Sequence, residues 1–97
     1  MLIDHQLLQG TLDSGAFSAN TSHIRGLIKQ VIVVPTSEST TYDVNIINPL
    51  GAIIYERTSE SGTISELTDI PTNGIYTVSI TNATVDEIIT IQIVTQE

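Results

Sequence analysis

Two histidines, His5 and His23, are the residues of this 97-residue chain best suited to proton transfer near neutral pH. A nucleophilic triad would need one of them to take a proton from a Ser or Thr while an acid orients its ring. Neither histidine lies in a recognisable nucleophile motif. Asp4 adjoins His5, but adjacent residues of a strand point to opposite faces. We therefore predict that the chain is not an enzyme, has no catalytic residue, and carries both histidines at its surface or in an interface.

Four carboxylates surround the segment TSESGTISELTD, and oxygen atoms are the ligands that Ca²⁺ prefers. Their spacing matches no known calcium loop, and carboxylates beside a Ser-rich turn are normally solvated. We therefore predict no metal site and no cofactor. The four residues are Glu56, Glu60, Glu66 and Asp69.

The chain is strongly acidic, with 11 Asp and Glu against three Lys and Arg and a formal net charge of −8 at pH 7. Binding to nucleic acid requires clustered Lys and Arg, so we predict no nucleic-acid partner. The absence of cysteine excludes a disulfide scaffold and a thiolate metal site. The start MLIDHQLLQG has no basic leader, and no segment reaches the roughly 20 apolar residues of a membrane helix, which predicts a soluble chain without a membrane partner.

Ile, Val and Thr dominate the sequence, and no window shows the periodicity of an amphipathic helix. Short apolar runs separated by Pro, Gly, Asn and Ser favour a single all-β domain, an immunoglobulin-like or jelly-roll-like antiparallel β-sandwich of about seven strands. Residues 1–20 are predicted as an N-terminal arm or edge-strand region and residues 21–97 as the sandwich. The predicted strands are 5–12, 23–34, 41–47, 52–57, 63–67, 75–81 and 87–95, with a short extra strand around Phe17 as an alternative for the first connection.

The run IRGLIKQVIVVP carries apolar residues on both faces of its predicted strand. Two explanations are open. Either the strand is central and covered on both sides, or a bulge near Gly26 shifts its register.

The segment NPLG predicts a tight hairpin turn between two strands. Asn48, Pro49 and Gly51 occupy positions favoured in a type I turn, and Gly51 can adopt the left-handed conformation that follows it. The resulting three-residue loop sets the register of the hairpin. That register predicts a cross-strand ion pair between Asp43 and Arg57.

The same register separates two adjacent pairs of isoleucines at the turn. It places Ile46 and Ile54 in the core, and it places Ile47, Ile53 and Tyr55 on the opposite face. The last three would form an exposed apolar patch, which makes them the candidate protein interface. Either a partner protein or the chain's own first segment could cover this patch, and both alternatives stay open.

The segment GIYTVSI contains the spacing of a tyrosine corner. Gly74, Tyr76 and Val78 stand as in immunoglobulin-like domains, where the Tyr hydroxyl bonds to nearby backbone. Thr72 stands where Asp is preferred, and Val78 replaces the core Cys. Alternation in the last two strands predicts these inward residues: Tyr76, Val78, Ile80, Ile89, Ile91 and Ile93.

From GLIKQVIVVPTSESTTYDVNIINPLGAIIYERT through GIYTVSITNATVDEIITIQIV, the chain resembles small virion structural proteins of tailed bacteriophages. Three features carry the resemblance: an apolar strand ending in Pro, a T-x-Y-x-V hairpin with Asn and Gly at its turn, and a G-I-Y-T-V-x-I strand leading into an NAT connection. The likeness covers the chain from Gly26 onward.

The resemblance implies a non-enzymatic capsid decoration or cement protein that binds the capsid surface and stabilises it. Its partners would be the major capsid protein or other virion proteins and further copies in a homo-oligomer, and its location would be the virion, assembled in the host cytoplasm. The alternative is a tail- or fibre-associated adhesion module that binds a host surface polymer. Polymer recognition often uses exposed aromatic rings, and only Tyr55 is predicted to point outward.

Overall fold

Residues 3–97, the part of the chain that the computed structural model describes, form eight β-strands. The abundance of β-branched residues explains this preference, because their side chains pack well on a pleated surface. No helix within these residues is long and apolar enough to cross a membrane. The strands are β1 (Ile3–Thr11), β2 (Phe17–Asn20), β3 (Ile24–Pro35), β4 (Thr41–Ile47), β5 (Ile53–Ser61), β6 (Ile64–Gly74), β7 (Thr77–Thr81) and β8 (Ile88–Gln96).

The strands form two four-stranded sheets. Sheet one has the order β1-β8-β3-β6 and sheet two the order β2-β7-β4-β5, with every pair antiparallel. The predicted all-β sandwich is confirmed. Of the two arrangements predicted for it, the jelly roll is the one observed, because the orders β1-β8-β3-β6 and β2-β7-β4-β5 are those of an eight-stranded double Greek key.

The strand count differs from the predicted seven because β2, the short strand around Phe17, is present. Residues 3–20 supply an outer strand to each sheet, with β1 beside β8 and β2 beside β7. Leu12, between them, is buried in the core. β6 is also longer than predicted, since it continues through Pro71 to Gly74. A Pro is tolerated there because β6 is an edge strand of its sheet.

A bulge in β3 explains the apolar residues on both faces of that strand. The register of β3 shifts between Ile28 and Gln30 against both neighbouring strands, so Ile28 and Val31 both point into the core. The bulge lies at Lys29, three residues beyond Gly26. Gly26 has its own role, because its φ is +88° and a Cβ there would lie 2.2 Å from the carbonyl oxygen of Gln96.

The core lies between the sheets, and 15 buried hydrophobic side chains of residues 3–97, drawn from both sheets, belong to it. Tyr42 is buried among them, and its hydroxyl donates a 2.6 Å hydrogen bond to the carbonyl oxygen of Gly62. Burial raises the pKa of Tyr42 to about 12, with Glu60 and Glu38 adding to the shift. The predicted inward residues of the last two strands are all buried: Tyr76, Val78, Ile80, Ile89, Ile91 and Ile93.

Truncating a side chain of the central strand β8 should test this core. Ile91→Ala should lower the free energy of unfolding by about 2 to 5 kcal/mol, because it removes buried methyl groups and leaves a cavity. Ile88→Ala on the same strand should change it by about 0.5 kcal/mol or less, because Ile88 is 52% exposed. Chemical denaturation measures both values. Equal losses for the two variants would contradict the assignment of inward and outward faces.

Candidate interaction surface

The NPLG turn joins β4 to β5 through a closed set of hydrogen bonds around Asn48. The N–H of Gly51 donates to the carbonyl of Asn48 at 2.9 Å, and the N–H of Asn48 donates to the carbonyl of Ala52 at 2.8 Å. The Asn48 side-chain oxygen accepts from the N–H groups of Leu50 and Ala52. Gly51 has a φ of +89°, the left-handed conformation that this turn requires.

The register after the turn differs from the prediction by one residue. Ile47 lies opposite Ile53, as predicted, but Ile46 lies opposite Tyr55 because Ile54 forms a bulge. Tyr55 therefore shares a face with Ile46 and is buried, with 5% of its surface exposed. The predicted outward position of Tyr55 is wrong, since one extra residue in a strand reverses the faces of those that follow.

The predicted apolar patch is reduced to Ile47 and Ile53 on the outer face of sheet two. Ile53 is 54% exposed and Ile47 is half-buried. Residues 3–20, the described part of the first segment, do not lie over them, because β1 belongs to sheet one and β2 lies at the edge of sheet two opposite β5. Asn45 and Thr77 adjoin them on this face, so the patch is small.

Because the bulge at Ile54 directs Tyr55 and Arg57 toward the inner side of sheet two, these side chains reach Glu66 of sheet one and form a polar cluster that links the two sheets. The Arg57 Nε donates a 2.7 Å hydrogen bond to the Glu66 carboxylate on β6, and the Tyr55 hydroxyl donates to the same oxygen at 3.0 Å. The Arg57 guanidinium lies 4.9 Å from the centre of the Tyr55 ring. Hydrogen bonds from Arg57 hold the pKa of Glu66 below its ordinary value of 4.5, and burial raises the pKa of Tyr55.

The predicted ion pair between Asp43 and Arg57 is wrong for the same reason. Val44, and not Asp43, lies opposite Arg57. The Asp43 carboxylate instead accepts hydrogen bonds from the N–H of Ser59 and from the side-chain amide of Asn82, both at 2.8 Å. These hydrogen bonds lower the pKa of Asp43, with the bond from Ser59 the larger cause.

Tyr76 forms a corner at the start of β7. Its hydroxyl accepts a 3.1 Å hydrogen bond from the N–H of Asn73, three residues earlier in the chain. Gly74 has a φ of +137°, and a Cβ there would lie 2.8 Å from the ring of Pro49. This corner therefore packs against the NPLG turn at one end of the sandwich.

In the described part of the chain, each histidine ring hydrogen-bonds to a side-chain amide and neither bonds to a hydroxyl or a carboxylate. The His5 Nδ1 lies 2.6 Å from the Gln92 side-chain nitrogen, and the His23 Nε2 lies 3.1 Å from the Asn73 side-chain oxygen. Glu66 pairs with Arg57 and Asp69 pairs with Lys29. Within residues 3–97, no three His, Asp or Glu side chains converge in a way that could hold a metal ion.

The four aromatic side chains all lie in or against the core. The three tyrosines are buried, and Phe17 packs against the core. None of them offers an exposed ring on which a sugar could stack.

The outer face of sheet one is the largest surface feature that the register defines. Between the rows of Leu27 and Val34, strand alternation directs one set of side chains away from the core. We call these side chains the sheet-one face. They are Ile3, His5, Leu7, Gln9 and Thr11 of β1, Ile88, Thr90, Gln92, Val94 and Gln96 of β8, Leu27, Gln30, Ile32 and Val34 of β3, and Ser65, Leu67 and Pro71 of β6.

This face combines exposed apolar side chains with almost no charge. Leu67 is 81% exposed and Leu7 is 68% exposed, and Ile88 and Val34 are also exposed. Among the side chains that alternation directs outward from the described strands of sheet one, Asp69 is the one carboxylate, and Lys29 at the β3 bulge pairs with it. In the row beyond Leu27, Arg25 lies opposite Asn73 and projects on the same side. This face thus lacks the excess of carboxylates that the rest of the acidic surface carries.

The polar residues of the sheet-one face bond mainly to one another across the strands. The Gln9 amide donates to the Thr90 hydroxyl at 2.9 Å, and the Gln30 amide donates to the Ser65 hydroxyl at 2.7 Å. Such internally paired groups lose little hydrogen bonding when a partner excludes water from them. The face is therefore suited to a flat, largely uncharged contact.

Sheet two presents a different outer surface. Asp43 and Glu56 project from it together with Thr and Ser side chains, so this face carries unpaired negative charge. A partner covering it would have to remove those carboxylates from water, which is unfavourable unless each meets a positive group. The contrast between the two outer faces favours sheet one as the contact surface.

Comparison with known proteins supports the fold alone. Neither a family model nor a curated protein sequence matches this chain. The pre-peptidase C-terminal domain of a collagenase from Bacillus anthracis is similar in structure, with a TM-score of 0.61, 10% identity, and coverage of 88% of this chain and 84% of that one. A Yersinia pseudotuberculosis-derived mitogen gives a TM-score of 0.61, 8% identity, and coverage of 99% and 89%. PirA gives 0.57, 13% identity, and coverage of 90% and 92%.

Proteins of viral and prophage origin also occur among the structural matches, with TM-scores below 0.5. Likeness at that level carries no functional argument. Small β-sandwiches of this shape thus occur in quite different proteins, and the fold by itself does not define a function.

Acid should weaken the link between the sheets. Because the pKa of Glu66 is lower in the folded protein than its ordinary value of 4.5, the stability it contributes is present above that pH and is lost as pH falls through the folded pKa. Wild type should therefore be more stable than Glu66→Gln at pH 7, and the difference should narrow by pH 3.

Denaturation with urea at both pH values measures this difference. Glu56→Gln is the matched control, because it removes an exposed carboxylate from the outer side of β5. Its difference from wild type should change less with pH. A difference for Glu66→Gln that stays constant between pH 7 and pH 3 would contradict the role assigned to this pair.

Proposed function

We propose that the chain is a non-enzymatic virion structural protein, a decoration or cement protein that attaches to the capsid surface through the sheet-one face. The observation that carries this proposal is the neutral, partly apolar character of that face on a protein with a net charge of −8. Exposed apolar patches on small soluble proteins commonly mark sites of protein contact.

The size of the face fits a contact that is reinforced by repetition. Four strands about 4.8 Å apart and about nine residues long at 3.3 Å each span an area of about 600 Å². A standard protein interface buries about 800 Å² on each partner, so one copy would bind its partner only moderately. A capsid offers many identical positions, and linked copies would gain avidity from simultaneous attachment.

The charge distribution supports the same orientation. A flat neutral face can be buried without removing unpaired carboxylates from water. The acidic groups of sheet two and of the loops would then face solvent, where like charge keeps neighbouring particles apart. Asp43 and Glu56 would lie on that outer side.

The fold and the sequence resemblance agree with this role. The jelly roll is an architecture of viral capsid proteins, although lectins and cupins share it. The resemblance to small phage virion proteins supplies the virion setting. The adhesion alternative has less support, because the aromatic side chains are buried or packed against the core.

Particles purified from cells that produce the chain should contain it in a copy number comparable with that of the major capsid protein. Quantitative mass spectrometry of intact particles measures this ratio. Only about three to twelve copies per particle would instead indicate a tail or fibre position. Absence from particles would overturn the virion role altogether.

Two double variants should locate the attachment surface. Val34→Asp with Leu67→Asp introduces charge into the sheet-one face at exposed positions, so folding should survive while retention on particles is lost. An unpaired buried charge costs about 3 kcal/mol or more, which weakens binding by more than about a hundredfold. Circular dichroism checks the fold of the variants.

Ile47→Asp with Ile53→Asp is the matched control on sheet two, and it should leave retention unchanged. If the control variant detaches and the sheet-one variant does not, attachment occurs through the hairpin at the NPLG turn. If both variants stay attached, neither sheet face is the contact, and the proposed mode of attachment is wrong.

A further inference from the structure

Four strands of the sandwich lie at sheet edges, and three of them carry features that prevent pairing with another chain. β2 has only four residues. β5 pairs irregularly with β4 and carries Arg57, and β6 contains Pro71 and the inward-pointing Glu66. Short length, bulges, Pro and inward charge are recognised devices that block edge-to-edge association.

β1 has few of these features. It runs for nine residues, its register with β8 is continuous from Ile3 to Thr11, and it contains no Pro. Its one charged residue is Asp4, near the beginning of the strand. A long, regular and largely uncharged edge strand is a template for a further strand.

The backbone groups available at this edge follow from alternation. Gly10, Leu8, Gln6 and Asp4 direct their N–H and C=O groups toward β8. The N–H of Leu12, which has the same alternation, shows this direction because it donates a 2.8 Å hydrogen bond to the carbonyl of Glu87 just before β8. The groups of Leu7 and Gln9 point the other way. Across the described chain, no backbone hydrogen bond joins β1 to a strand on that side. The N–H of His5 donates a 2.8 Å hydrogen bond to the Asp4 carboxylate.

We propose that two copies of this chain pair through β1, antiparallel, about a twofold axis at Leu7. The two sheets one then form a continuous eight-stranded sheet across the dimer. In this register Leu7 lies opposite Leu7 of the second copy, and His5 lies opposite Gln9. The proposal stands independently of the attachment to a virion.

A second copy is the occupant that the sequence of β1 favours. In the Leu7 register, Asp4 lies opposite Gly10 of the second copy, so the two carboxylates stay far apart and no like charges meet. Leu7 contacts its own equivalent on the outer side, which buries two side chains that are 68% exposed in the single chain. The contact is therefore self-complementary, as a twofold interface requires.

The pairing would also extend the sheet-one face. β1 carries one border of that face, so twofold pairing places the two faces side by side on the same surface. The combined face has twice the area, and its charged groups are the two Lys29 and Asp69 pairs and, in the rows beyond Leu27, the two Arg25 side chains.

Cysteine cross-linking tests the register, because the chain has no cysteine of its own. Leu7→Cys should form a disulfide-linked dimer under mild oxidation, since directly opposite residues of an antiparallel pair have Cα atoms about 5.5 Å apart, within disulfide range. Gln9→Cys alone should not, because the two residues 9 would lie about 13 Å apart along the strands. His5→Cys alone should form no cross-link for the same reason. An equal mixture of the Gln9→Cys and His5→Cys variants should cross-link, because residue 5 of one copy lies opposite residue 9 of the other.

Cross-linking of Gln9→Cys alone, as efficient as that of Leu7→Cys, would contradict the Leu7 register. Absence of a cross-link for Leu7→Cys, together with sedimentation of wild type as a monomer at all concentrations, would overturn the pairing. Neither result bears on the copy number in particles, so failure here is separate from failure of the proposed function.

Leu7→Pro supplies a second test in the protein without cysteine. It removes an N–H that points away from β8, so the fold should survive, as Pro is tolerated at a free sheet edge. Sedimentation velocity should show loss of the dimer with an unchanged circular dichroism spectrum. Leu7→Ala, which keeps the N–H, should retain more of the dimer than Leu7→Pro; equal dimer content in these two variants would contradict backbone pairing.

Discussion

Burial of β-branched side chains between two sheets is the interaction on which the rest of this structure depends. The chain has neither disulfides nor a metal cluster in its described part, so the 15 core side chains and the strand ladders must hold the sheets together. At about 25 cal/mol per Å² of apolar surface, this burial is the dominant favourable term. Each surface feature follows from it, because strand alternation assigns every outward position once the inward ones are filled.

The places where alternation is interrupted explain most of the differences between sequence and structure. The cleanly alternating strands β7 and β8 and the turn at Asn48 follow from local patterns, so they could be predicted. The bulges at Lys29 and Ile54 could not, because a single extra residue leaves no signature in an apolar run yet reverses the faces beyond it. Tyr55 moved from the predicted surface to the core for this reason alone.

The sheet-one face could not be predicted from local sequence patterns for another reason. Its members come from four strands that are distant in sequence, and only the order β1-β8-β3-β6 brings Leu7, Val34 and Leu67 to one surface. A signal was nevertheless present: in a chain of this acidity, the outward positions of β1, β8 and β3 carry almost no carboxylate. The jelly-roll order thus separates two outer surfaces, of which that of sheet two is acidic and that of sheet one is not. The two sides of the sandwich therefore differ electrostatically.

The position of β8 in the centre of sheet one has a consequence for how the chain reaches its fold. β8 pairs with β1 at one side and β3 at the other, although it follows both in the sequence by more than half of the chain. Sheet one therefore cannot close while the chain is being synthesised until β8 has left the ribosome. Pairing between such distant segments is slow because the intervening loop must first be closed. During that interval β1 has no neighbouring strand in its sheet and β3 can pair only with β6, so both present strand edges on which the nascent chain could associate with another.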